Sequence, residues 1–320
     1  MNKFKLLFAT CLLFQASFST ASDESETAIK WLHKMVSAVQ MLNYEGEFIY
    51  LHDKQLESLS IVHQYSAGVE RERLVSLNGE AREILRQGSE VTCVWPETKS
   101  VIIEQGGLKK SFPSTFPMDL HSLDESYVFK FGPEDRVAGR AVHVVTIMPK
   151  DGFRYGFKLW LDDETALPLK SIRLDETNQA IEQIMYTSIL VNTVIDDSKL
   201  KLQSMGRTYS WTINEATQNN EKKLTHWEVA KMPVGFILQR AKMVSIPHAT
   251  DLVEHLIYTD GLATVSAYIE SGVGAGPLTG SSNMGALSAY GVSKGHYFIT
   301  VVGEVPAVTV KTIASSIARQ

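Results

Sequence analysis

Cysteine is almost missing from this 320-residue chain, which has two. Cys11 lies in the apolar run 6–14, which Lys3 and Lys5 precede and Ser19-Thr20-Ala21 follows, the layout of a secretory leader cleaved after Ala21. Without the leader only Cys93 remains, so no intramolecular disulfide can form. Cys93 alternates with Val91 and Trp95, which predicts a buried, inert thiol rather than a nucleophile. No later run reaches the roughly 18 apolar residues that a membrane helix needs. An excess of basic charge is also missing. The formal net charge is −5, and losing Lys3 and Lys5 with the leader moves it to −7, so nucleic acid is not an expected partner. HExxH, GxxxxGK[ST], GxSxG and CxxC are all absent, which removes the strongest signals for metalloprotease, nucleotide, esterase and dithiol chemistry. Neither a cofactor nor a metal site is expected.

What remains is a pattern of strands. In 153–161 Phe153, Tyr155, Phe157, Leu159 and Leu161 alternate with Arg154, Lys158 and Trp160, the two-residue period of a half-buried strand. Asp162 to Thr165 form a polar turn, Pro168 suits a strand start, and a second turn falls at 175–178. The third run, 181–194, is apolar on both faces, with Ile184, Tyr186 and Leu190 one way and Met185, Ile189 and Val191 the other, which predicts cover on both sides.

Upstream, Asp23, Glu24 and Glu26 open a helix on which Ile29, Leu32, Met35 or Val36, Val39 and Leu42 recur at helical spacing. Strands are then predicted at 56–65, 69–77, 82–87, 91–95, 100–104 and 137–148, with an irregular stretch and one short helix over 113–127. The fold class is α+β, mostly antiparallel β. Residues 22–202 form a sheet of about nine or ten strands curled into an incomplete barrel with a packed helix, 203–218 a polar linker, and 219–320 a smaller antiparallel sheet with a covering helix started by Pro306. Residues 272–285 are expected as a long loop.

Weaker chemical patterns have plainer explanations. Gly272, Gly274, Gly276 and Gly280 lie between strands, with Pro277 where a phosphate-binding helix would open. Ser198 and Lys201 match SxxK without its companion motifs, and His248 and His255 read as surface histidines rather than metal ligands. Binding has more support. Phe48, Tyr50, Trp95, Trp160, Met185 and Ile189 are candidates to line an acyl-chain pocket, and a barrel filled by its own helix is the plainer alternative. Arg71, Arg73, Arg82 and Arg86, with Lys109 and Lys110, are candidates for an anionic head group, although Glu70, Glu72, Glu80 and Glu83 among them suggest a solvated face.

An ordered set of segments resembles the RseB/MucB family: Leu42-Asn43-Tyr44 with 45–48, Ala81-Arg82-Glu83-Ile84, 88–96, the LWLDDETALPLK run, Met232-Pro233-Val234-Gly235-Phe236, Tyr258-Thr259-Asp260-Gly261-Leu262 and 301–306. The resemblance implies a periplasmic negative regulator of the sigma-E or AlgU envelope stress response. Such a protein binds the periplasmic domain of a membrane anti-sigma factor of the RseA/MucA type, shields it from the site-1 protease, and lets go on sensing lipopolysaccharide or mislocalised lipoprotein acyl chains. It also implies a first domain like the lipoprotein carriers LolA and LolB. The family brings no catalytic residues, and a homo-oligomer stays open. The alternatives are a periplasmic lipoprotein or lipid carrier, for which residues 22–202 alone would suffice, and an exported hydrolase, for which no constellation is present.

Overall fold

The computed structural model describes residues 20–105, 120–204, 208–214, 226–245, 251–272 and 279–319. Residues 1–19 of the predicted leader, Lys109 and Lys110, His248 and most of the glycine-rich loop lie outside these residues. Helix α1 (Thr20–Met41) buries Ala28, Ile29, Leu32, Met35, Val36 and Val39, the predicted stripe.

Two meanders follow. The first is β1 (Tyr44–His52), β2 (Gln55–Ser66), β3 (Val69–Ser76), β4 (Glu83–Gln87), β5 (Glu90–Trp95) and β6 (Ser100–Gln105). After a short 3₁₀ turn at Leu120–Leu123, the second is β7 (Tyr127–Val137), β8 (Arg140–Pro149), β9 (Gly156–Asp162), β10 (Pro168–Leu174) and β11 (Ala180–Val191). Pairing of β1 with β11 joins them into one sheet, and β12 (Ser210–Asn214) adds a parallel strand on β6, inside the stretch expected as linker. The order is β12-β6-β5-β4-β3-β2-β1-β11-β10-β9-β8-β7, so the ends do not meet and the barrel is open. Helix α1 lies on the inner face, where Trp31 meets Phe131 and His143 at ring separations of 6.2 and 4.7 Å.

The smaller unit has β14 (Ile237–Val244), β15 (Val253–Thr259), β16 (Thr264–Ser271), β17 (Gly280–Met284), β18 (Leu287–Lys294) and β19 (Tyr297–Gly303), in the order β14-β15-β16-β19-β18-β17. Helix α2 (Ala307–Ser316), with Pro306 at its N-cap, buries Val310 and Ile313 on that sheet, and β13 (Trp227–Val229) pairs with β20 (Ile317–Arg319). The architecture is the expected one: a large open antiparallel sheet around a helix, and a smaller sheet with its own.

Several local expectations need correction. The hairpin β7–β8 replaces the single strand expected at 137–148, because its turn is Ala138-Gly139 with both residues at positive φ (50° and 80°), a conformation alanine seldom signals. Strand β17 occupies part of the predicted loop 272–285. The run 153–161 is a strand only from Gly156, and Arg154, assigned to a polar face, is fully buried. The third run is not covered on both sides: in β11 only Tyr186 is buried, Leu190 is 60% exposed, and Val194 beyond it is 94% exposed. Nor are its faces as expected, because Ser188 pairs with Glu47 and Tyr186 with Phe48, leaving Thr187 as a bulge. The extra residue moves Ile189 and Val191 onto the face of Ile184 and Tyr186. Gly46 is needed there, since a Cβ would lie 2.4 Å from the Ser188 carbonyl oxygen.

Residues after β11 cross the outer face of β2–β4, where Ile195 and Leu200 pack on Val62. Glu83, 1% exposed, takes hydrogen bonds from Arg73 Nε at 2.5 Å, Gln203 N at 3.0 Å and Ser204 N at 3.0 Å. Burial pushes its carboxyl up, but these donors together outweigh burial and hold it below the ordinary range. A depressed folded pKa adds stability above the unfolded value near 4.3, which is lost as pH falls through the folded one. Glu83→Gln is expected to cost about 3 kcal/mol at pH 7 in urea unfolding, with the gap to the parent closing below about pH 4.

Candidate functional site

The two units meet along a seam built from turns of the second and strand ends of the first. Asp260 forms the turn after β15: its Oδ1 accepts from Leu262 N at 2.9 Å and Ala263 N at 2.7 Å, which presets the shape of the turn. Its Oδ2 crosses the seam, accepting from Tyr127 Oη at 2.9 Å and pairing with Arg154 Nη1 at 3.1 Å. Both charged side chains are at most 1% exposed, so this ion pair is isolated from water. Arg154 also pairs with Asp151 at 3.4 Å, donates to the Val234 carbonyl, and lies over the Tyr127 and Phe236 rings at 5.4 and 5.0 Å. Gly235, at φ +82°, allows this approach, because a Cβ there would sit 2.5 Å from Ser126 Oγ. Burial, followed by the Asp260 charge, pushes the Tyr127 phenol far above its ordinary range, so it is a fixed neutral donor.

A second tie starts on the inner wall. Tyr50 Oη donates to Glu182 Oε1 at 2.8 Å, Glu182 pairs with Arg173 at 2.9 Å, and Arg173 reaches Glu304 of the second unit at 2.8 Å. Thr309 Oγ1 donates to the Phe153 carbonyl at 2.6 Å. Leu262, 9% exposed, belongs to the core of the large sheet rather than to that of its own.

The predicted pocket residues are divided between the two faces of the large sheet. Phe48 is buried in the core, Tyr50 and Ile189 share its inner face, and the strand registers place Trp95 on that face too, four strands away on β5. Met185 and Trp160 occupy the outer face, in one row with Lys170. Trp160 is not an exposed contact. It is 5% exposed, its Nε1 donates to Asp135 Oδ2 at 2.8 Å, and the Lys158 and Lys170 ammonium groups lie 4.9 and 4.4 Å from its ring. The four arginines are likewise dispersed. Arg71 pairs with Asp197, Arg73 with Glu83 and Arg82 with Glu57, while Arg86 stands opposite Glu72 on the inner face.

His255 is 8% exposed and stacked 4.2 Å from Tyr268, so it is not a surface histidine. Cys93 is half-buried rather than buried, on the face of β5 opposite the buried Thr92 and Val94, and burial and then Glu104 push its thiol up. Among the described residues no cluster of histidine, cysteine, aspartate and glutamate could hold a metal, and no helix is long and apolar enough to cross a membrane.

The reading from sequence missed the seam residues Arg154, Tyr127, Asp260, Arg173 and Glu304. Their signal was that the MPVGF, YTDGL and 301–306 segments, conspicuous in the family resemblance, contribute Val234, Gly235, Asp260, Leu262 and Glu304 to the seam.

The family described as the MucB/RseB N-terminal domain matches residues 27–204, and the one described as the MucB/RseB C-terminal domain matches 221–318. The sigma factor AlgU regulatory protein MucB of Pseudomonas aeruginosa is 32% identical, over 96% of this chain and 95% of its own length. The sigma-E factor regulatory protein RseB of Haemophilus influenzae is 28% identical, over 99% of each. Among solved structures, the MucA/MucB complex of Pseudomonas aeruginosa superposes with a TM-score of 0.73 at 29% identity, covering 92% of this chain and 99% of that one. A crystal structure of MucB superposes with 0.62 at 28% identity over the same shares.

Proposed function

Because the chain belongs to the MucB/RseB family, we propose that it regulates a sigma-E or AlgU-type stress factor by binding the periplasmic region of a membrane anti-sigma protein. The observation that carries this reading is agreement over 92% of the chain, both units together, with MucB in complex with MucA. In this reading the protein works in the periplasm as a binding module without a catalytic step, shields its partner from the site-1 protease, and lets go when an amphiphile such as lipopolysaccharide or a lipoprotein acyl chain binds. An amphiphile that favours the partner-free form must weaken partner binding by the same coupling free energy, typically about 1–3 kcal/mol. The seam supports this over a plain lipid carrier, because a carrier that uses the barrel alone has no need for the buried Arg154–Asp260 ion pair to a second unit.

The expected result is that the purified protein binds the periplasmic segment of its anti-sigma partner at micromolar concentration or below, protects it from proteolysis, and releases it to excess lipid A. No binding at micromolar concentration overturns the regulator reading. A complex untouched by lipid A overturns the sensing half alone.

A further inference from the structure

Leu262 is, among the described residues, the one side chain of the second unit buried in the core of the first. It is carried on a turn held by its own bonds: Asp260 accepts from two of the turn's amides, and Thr259 Oγ1 donates to the Ala263 carbonyl at 2.8 Å. The turn therefore keeps its shape whether or not it is docked. Around it the seam is largely polar, with Arg154, Asp260, Tyr127, Arg173, Glu304 and Thr309 each making a hydrogen bond or ion pair across it. When the seam opens, water replaces those polar partners. It cannot replace the apolar contacts of Leu262, which belongs to the same packed core as Tyr127, Phe129 and Phe157.

The geometry points to Leu262 as a displaceable plug: the space it fills is the binding site for a single aliphatic chain of an amphiphile, and chain entry and docking of the second unit exclude one another. This rests on the reading that an amphiphile is the releasing signal, and it adds where the chain binds and how binding there moves the second unit. Such a site exists only in the opened molecule, so ligand affinity and seam stability are reciprocal.

The probe is dodecanoate below its micellar concentration, measured by calorimetry on the full chain. Leu262→Ala leaves fewer methylenes to displace and keeps the Asp260 turn, so dodecanoate is expected to bind about tenfold more tightly than to the parent. A second variant tethers the seam. A Cβ on Gly285 would lie 3.8 Å from the Asp53 Cβ, within the span of a disulfide. In D53C/G285C with C93S, the oxidised protein is expected to bind dodecanoate at least about tenfold more weakly than the same sample after reduction. Oxidised and reduced samples are one polypeptide, so a folding defect cannot imitate this difference. Equal affinity in both redox states, no gain in Leu262→Ala, or no dodecanoate binding to any form overturns the plug. The regulator reading is decided separately by binding of the anti-sigma segment, which none of these outcomes prejudges.

Discussion

Asp260→Ala is expected to destabilise the protein by about 3–5 kcal/mol in urea unfolding, the range for removing one partner of a buried ion pair. Three losses coincide. The most costly is that the Arg154 guanidinium, 0% exposed, keeps its charge and loses the nearer and more deeply buried of its two carboxylates, leaving Asp151 at 3.4 Å. Tyr127 Oη loses its acceptor, and the turn loses the acceptor for two backbone N–H groups. Asp260→Asn is expected to be milder, because an amide oxygen can still accept from the turn. The instructive variant is Arg154→Met with Asp260→Asn. Replacing a buried pair by groups without charge is often near neutral, so the double variant should recover most of the loss, with a large coupling energy in the cycle. Partner binding adds a second readout: if the docked arrangement binds the anti-sigma segment, Asp260→Ala should weaken that complex even at temperatures where each unit is folded. An Asp260→Ala loss under about 1 kcal/mol would mean that the seam contributes no more than an exposed salt bridge.

Trp160→Ala is expected to cost about 3–5 kcal/mol, the range for truncating a large buried aromatic residue. Trp160 is unusual in being on the outer face of the sheet and still buried. Val144 stands opposite it on β8, Lys170 opposite it on β10, and the aliphatic stems of Lys158 and Lys170 place their ammonium groups over its ring. Its indole N–H is satisfied by Asp135, so a smaller side chain leaves both a cavity and an acceptor without its donor. Trp160→Phe should retain about half of the lost stability, since it keeps most of the apolar volume but not the hydrogen bond. Dodecanoate and partner affinities should not change in folded Trp160→Phe. A stable Trp160→Ala variant with weakened binding would instead make Trp160 a contact residue.

Strand content and the stripe of α1 were legible because both are local. Alternation over five to ten residues reports one buried face, and Ile29, Leu32, Val36 and Val39 report another. The seam was not legible, because nothing near Arg154 in the chain announces a partner more than a hundred residues away. Period-two reasoning assigned it to solvent only because it lacked that partner. Trp160 failed for a related reason: alternation gives its face correctly but not what Lys158 of its own strand and Lys170 of the next build over it. The bulge at Thr187 is a third case, since one unpaired residue exchanges the faces of everything after it and no composition signal marks it.

The amino-acid sequence by itself determined the α+β class, the large sheet followed by a smaller one, and, through an ordered set of short segments, the family. These follow from periodicity and from residues adjacent in the chain, where a short stretch carries its own physical constraint. Tertiary structure alone decided that β1 closes on β11, that Leu262 leaves its own core for that of the other unit, and that Arg154 and Asp260 neutralise each other away from water. Each of these is a pairing between distant segments, and its energy exists only once both partners have been desolvated together.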